Sequence, residues 1–150
     1  THNRMKAIIK TISVLLIFIS TTVYSQDLTQ LVAQCAANAG NVTYLKDFVV
    51  KLDAGTLGGA PPTARFAMIL SKNAMYRFSI CTAPDSDGDA VLQLMDMNRL
   101  LGSTFIQATG KEFPYFDFKC QKTGVYHVFI SFKEGKAGES VGILSLVKKF

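Results

Sequence analysis

Arg65–Thr82 reads RFAMILSKNAMYRFSICT. Phe66, Met68 and Leu70 recur at every second position, and after Ser71-Lys72-Asn73 the alternation resumes. Tyr76, Phe78 and Ile80 then fall on one side, with Arg77 and Ser79 on the other. A period of two collects one set of side chains on one face of an extended strand. A short polar segment between two such runs marks a turn. The stretch predicts two strands joined by a turn, each with one face turned to a core.

The same pattern extends in both directions. Upstream, Thr43–Asp53 places Phe48, Val50 and Leu52 on one face, and Gly55–Pro62 (GTLGGAPP) reads as a loop. Downstream, Pro84–Asp89 is an acidic turn. Ala90–Asp96 is a strand carrying Leu92 and Leu94 on one side, and Leu100–Gln107 is a further candidate strand. Glu112–Cys120 groups Phe116, Phe118 and Cys120. Val125–Phe132 is apolar on both faces, as a central strand is. Glu134–Gly138 is a polar hairpin tip before a closing strand, Ser140–Lys149. About seven or eight short strands at near-regular spacing predict an all-β sandwich.

One helix is expected in front of them, over Asp27–Ala39. Leu28, Leu31, Val32, Cys35, Ala36 and Ala39 recur at helical spacing. Asp27 is the N-cap candidate with Gln30 three residues later, and Gly40-Asn41 is the stop signal.

Before the helix, the pattern is that of an export signal. Thr1–Arg4 precede the first methionine, Met5, and are set aside. Lys6 and Lys10 are followed by the apolar run Ile12–Ile19 (ISVLLIFI) and then by Val23 and Ser25 at positions that suit a signal peptidase. Cleavage after Ser25 is expected, leaving 26–150 as a single domain. The apolar run is too short to span a bilayer, which takes about 20 residues, so no stable membrane span is expected. A secreted, periplasmic or cell-surface location follows.

The leader also accounts for most of the net charge. Residues 1–25 hold Arg4, Lys6 and Lys10 and no acid. Taking these three from the 16 basic residues leaves 13 against 11 acidic ones, so the net charge falls from +5 to +2. The remaining basic residues are scattered along the chain, and only Lys148-Lys149 are adjacent. That pattern is no argument for nucleic-acid binding.

Three stretches together resemble the bacterial pre-peptidase C-terminal domain. Met68–Ile80 (MILSKNAMYRFSI) is similar to its strand–turn–strand with a Tyr-x-Phe strand. Asp89–Thr104 (DAVLQLMDMNRLLGST) is similar to its Asp-x-x-Leu-x-Leu-x-Asp segment. Gly124–Ile130 (GVYHVFI) is similar to its closing Gly-x-Tyr strand. The likeness covers roughly residues 65–132. Lys72-Asn73 departs from it, lacking the glycine that family often has at the turn, and no protease is attached. The resemblance implies a jelly-roll-like sandwich with a non-catalytic accessory or binding role and no active site.

The residues with chemical potential are few. Asp85, Asp87 and Asp89 alternate with Ser86 and Gly88, and Asp96 follows eleven positions after Asp85. Oxygen ligands at this spacing suit Ca²⁺, although Ala90 stands where an EF-hand loop needs glycine. These four aspartates are the candidate metal ligands, and an Asp-Gly turn between strands is the plainer reading. His127, the one histidine after the leader, has no nucleophile or orienting acid nearby in sequence and reads as a strand residue. Of the three cysteines, Cys35 lies on the apolar helix face and Cys120 points with Phe116 and Phe118. Cys35–Cys120 is the expected bridge, and Cys81–Cys120 the alternative.

The sequence thus predicts a secreted, non-catalytic binding or accessory module, with calcium as a candidate stabiliser. It would present Gly55–Pro62 and Pro84–Asp89 from a rigid frame to an extracellular protein or glycan. Tyr44 and Tyr115 are candidate stacking platforms for a sugar. A protease-associated inhibitor or accessory factor is the first alternative. A small extracellular hydrolase is the second, and it requires a pocket in which titratable groups converge.

Overall fold

The computed structural model describes residues 28–150. The leader and the Asp27 N-cap lie outside the described residues. One helix, α1 (Leu28–Asn38), precedes ten strands: β1 (Thr43–Leu52), β2 (Thr63–Leu70), β3 (Ala74–Thr82), β4 (Ala90–Asp96), β5 (Arg99–Ser103), β6 (Phe105–Ile106), β7 (Lys111–Glu112), β8 (Tyr115–Cys120), β9 (Gly124–Phe132) and β10 (Gly138–Lys149). A 3₁₀ turn at Lys133–Gly135 joins β9 to β10.

The strands form two four-stranded sheets, β1-β10-β3-β8 and β2-β9-β4-β5, and a small ribbon of β6 and β7. All pairings are antiparallel. They are nested: β1 lies beside β10, β2 beside β9, β3 beside β8 and β4 beside β5. This is the order of a long hairpin rolled into two sheets, the jelly-roll arrangement of a β-sandwich.

Alternation decides what enters the core. Phe48 and Val50 from β1, Met68 and Leu70 from β2, and Tyr76 and Phe78 from β3 are buried between the sheets. They meet Leu92 and Leu94 from β4, and Tyr126, Val128 and Ile130 from β9. Each large apolar side chain so enclosed contributes about 2–3 kcal/mol relative to exposure. β9 lies between β2 and β4, as its two apolar faces predict. The predicted turn at Ser71–Asn73 is present, and Asn73 takes the left-handed conformation with φ 65. Asparagine tolerates that region better than other residues with a Cβ. The expected strand over Leu100–Gln107 divides into β5 and β6. The one over Glu112–Cys120 divides at Phe113-Pro114, where proline removes a ladder donor.

The helix does not share this core. It lies on the outer face of the β1-β10-β3-β8 sheet, where Leu31, Val32, Cys35 and Ala36 cover Val141, Ile143 and Cys81. That placement corrects the disulfide. Cys35 is bonded to Cys81, with Cα atoms 5.8 Å apart, and neither expected pairing with Cys120 forms. The physical reason is facial. Cys81 follows Arg77 and Ser79 onto the outer face, where the helix docks, whereas Cys120 points between the sheets and is buried as a thiol. A sheet separates Cys120 from the helix.

Candidate functional site

The two loops singled out in the sequence lie at one end of the sandwich and line a single cleft of about 1000 Å³. Strand ends supply Val91 and Gln93 from β4 and Ser131 and Phe132 from β9. Gly55–Gly59, Asp87–Asp89 and the 133–136 turn complete the lining, together with Phe105 and Gln107.

The 133–136 turn is the hub of this construction. Gly55 N–H donates to the Gly135 carbonyl (2.8 Å), which ties down the glycine-rich loop. Gly88 N–H donates to the Ala137 carbonyl (3.0 Å), and Lys133 N–H to the Asp89 carbonyl (2.9 Å), which ties down the acidic loop. The Lys133 ammonium pairs with Glu112 and lies 4.2 Å from the centre of the Phe105 ring, which ties down the ribbon. The turn itself needs two left-handed residues, Glu134 (φ 60) and Gly135 (φ 65). The local sequence Glu134–Gly138 reads only as a polar hairpin tip. Its contacts are long-range, so no local signal marks it.

The lining mixes apolar side chains, among them Leu57, Val91, Phe105 and Phe132, with hydrogen-bonding groups, and its charges are nearly balanced. Asp87, Asp89 and Glu134 line it together with Lys133 and Lys136, and Gln93, Gln107, Ser131 and Thr56 add amide and hydroxyl groups. Glu134 pairs with Lys136 at 3.1 Å. Glycines at 55, 58, 59, 88 and 135 also line it. Such a surface suits a polar ligand bearing hydroxyl or amide groups.

The four candidate metal ligands are not brought together. Asp96 sits at the far end of β4, roughly 24 Å from Asp89 at about 3.4 Å per residue, and it pairs with Arg99 at 3.5 Å. Asp89 lines the large cleft, Asp87 lies between it and a smaller neighbouring hollow, and Asp85 faces that hollow with Lys51 and Glu139. Among the described residues no group of three or more histidine, cysteine or acidic side chains is gathered as for a metal ion.

The other singled-out residues lie away from the cleft. His127 points outward from β9, in register with Ala67 and Met95. Ser131 on the same face is four residues further along, about 13 Å, so the two form no nucleophile–base pair. Tyr115 lies on the outer face of the helix-bearing sheet, with the Arg77 guanidinium 4.0 Å from its ring centre. Tyr44 donates its hydroxyl to Asp47, which raises its pKa, with burial adding to the effect.

Comparison with protein-family models and with curated proteins finds no match.

Proposed function

We propose that this domain is an extracellular, non-catalytic binding module that takes a glycan chain or protein segment into the loop-end cleft. One observation carries the reading. Loops far apart in sequence are fastened by one turn around a single cleft of mixed polar and apolar lining, on a sandwich that supplies a rigid frame. Two others support it. The resemblance to pre-peptidase C-terminal domains implies an accessory role. The Cys35–Cys81 disulfide is of the kind that persists outside the cytoplasm. Among the described residues no helix is long and apolar enough to cross a membrane.

The test is a retention assay of the folded domain on insoluble extracellular polysaccharide and on immobilised extracellular protein. It is run beside Gln93→Trp, which fills the cleft from a half-buried strand position. Retention that falls at least about tenfold in Gln93→Trp, equivalent to about 1.4 kcal/mol, places the ligand in the cleft. Equal retention of both forms rejects the site.

Calcium enters this reading as a stabiliser of the Asp85–Asp89 wall, with Asp96 too distant to take part. A melting temperature that rises in millimolar calcium relative to chelator supports it. An unchanged melt removes calcium from the reading.

A hydrolase is the second reading, favoured by one observation: Asp87, Asp89 and Glu134 line the same cleft. Release of soluble products from a retained polymer, abolished by Asp87→Asn or Asp89→Asn, selects it over simple binding.

A further inference from the structure

The end of the sandwich opposite the cleft carries a basic surface that the sequence conceals. Lys72, Lys119, Lys122, Lys148 and Lys149 come from three separate segments. The fold brings them together through Lys72 N–H to the Thr123 hydroxyl (2.9 Å), Asn73 N–H to the Cys120 carbonyl (2.9 Å) and Phe150 N–H to the Asn73 carbonyl (2.8 Å). All five lysines are exposed, and among the described residues none has a carboxylate within ion-pair distance. The acids closest to this end are already engaged, Asp117 by Arg77 at 2.8 Å and Asp96 by Arg99 at 3.5 Å.

Apolar side chains stand among these charges. Ile69 and Val125 are directly opposed across β2 and β9, and they are 74% and 55% exposed. Phe150 is 56% exposed, with the ammonium groups of Lys119 and Lys148 4.3 and 4.8 Å from its ring centre. An uncompensated lysine cluster interleaved with projecting apolar groups has the make-up of an interfacial surface. Lysines attract anionic headgroups and apolar side chains enter the acyl boundary.

We infer that this end docks on an anionic phospholipid bilayer. The occupant is argued from charge and from chemistry. Seven of the ten acidic residues between 28 and 150 lie at the cleft end: Asp53, Asp85, Asp87, Asp89, Glu112, Glu134 and Glu139. Lys51, Lys133 and Lys136 pair with three of these acids and Lys111 is adjacent, so the cleft end is left modestly negative against the basic far end, and an anionic plane favours the lysine end. A lysine cluster offers point charges and no bidentate forks, which suits a fluid field of phosphates over one fixed anion. Exposed Ile69 and Val125 add what a soluble polyanion has no use for. Docked this way, the domain holds its cleft about 30 Å from the membrane surface, the length of β9 at 3.4 Å per residue, open to the solution.

The experiment is flotation of residues 26–150 with vesicles of phosphatidylglycerol in phosphatidylcholine and with phosphatidylcholine alone. This segment contains every strand of both sheets and their core, and a cooperative melt checks each protein used. Binding to the anionic vesicles alone, released by salt, is expected. Lys72→Gln/Lys122→Gln/Lys149→Gln should weaken it roughly a hundredfold, from about fivefold per lysine at an anionic surface. Ile69→Ser/Val125→Ser should weaken it with the charge unchanged. No binding to anionic vesicles, equal binding to phosphatidylcholine, or undiminished binding by the triple variant overturns the proposal. So does retention on an anionic polysaccharide without vesicle binding. Gln93→Trp leaves vesicle binding intact, so failure of the cleft reading and failure of this one are told apart.

Discussion

Arg77 shows how one outward-facing strand residue can hold several parts together. Its guanidinium grips Asp117 through two bonds, at 2.8 and 3.0 Å. It donates to the Ala39 carbonyl at 2.7 Å and lies over the Tyr115 ring. The Asp117 bond raises its pKa, against an opposing effect of burial. The Ala39 contact places a cation at the carbonyl end of α1, where the helix dipole favours it. Arg77→Ala is expected to cost about 2–4 kcal/mol in a denaturant melt. Arg77→Lys should recover less than half, because an ammonium cannot reproduce the fork. Tyr126 offers a pH test. Its buried hydroxyl donates to the Lys122 carbonyl at 2.6 Å. Its pKa is pushed up from 10.0 to about 12, first by burial and then by its hydrogen bond with Cys120. A folded-state value above the unfolded one means that the stabilisation is whole below pH 10 and is lost as pH rises toward 12. Tyr126→Phe should cost about 1 kcal/mol at neutral pH and flatten that alkaline decline, as read by melts across the pH range. Residue-level periodicity puts Arg77 on the face opposite Tyr76 and Phe78, and leaves Tyr126 on a strand apolar on both faces. It could not identify their partners, which lie tens of residues away.

At the scale of elements, α1 is the least self-sufficient part. Its apolar stripe is narrow, and its small core of Cys35, Val141 and Ile143 lies on the outside of a sheet. Helices of this length are marginal alone and depend on packing. The Cys35–Cys81 bridge, closing 46 positions of chain, contributes about 3–4 kcal/mol by restricting the unfolded state. Cys35→Ala/Cys81→Ala should lose about that much, and hydrogen exchange should show α1 opening before the sheets. The β6–β7 ribbon is held to the 133–136 turn mainly by Lys133. Lys133→Ala should speed amide exchange at Phe105 and Ile106 while costing less than about 1 kcal/mol overall, because the Glu112 partner is solvent-exposed. The apolar face of α1 was legible from its spacing, but its destination was not. A stripe of Leu31, Val32 and Cys35 says only that one face must be covered, and a sandwich offers both an interior and two outer faces.

The whole molecule is defined by its two unlike ends. One gathers glycine-rich and acidic loops around a cleft, and the other gathers lysines and exposed apolar side chains. Strands of both sheets run between these ends, so residues at matching strand ends become neighbours whatever their sequence distance. The proposed cleft ligand and the proposed membrane contact would therefore be held apart by the rigid length of the sandwich. Binding at one should leave binding at the other unchanged, which two-ligand titrations of the same protein can read.

From Arg65–Thr82 outward, the order of polar and apolar residues determined the strands, their inward faces and the sandwich class. Alternation is a local property, and burial is its direct consequence. Only the tertiary structure decided which cysteine Cys35 meets, that Asp96 stands apart from Asp85, Asp87 and Asp89, and that five scattered lysines share one surface. Those outcomes depend on which faces and strand ends the rolled topology juxtaposes. Pairing between segments up to about a hundred residues apart leaves no trace in local periodicity.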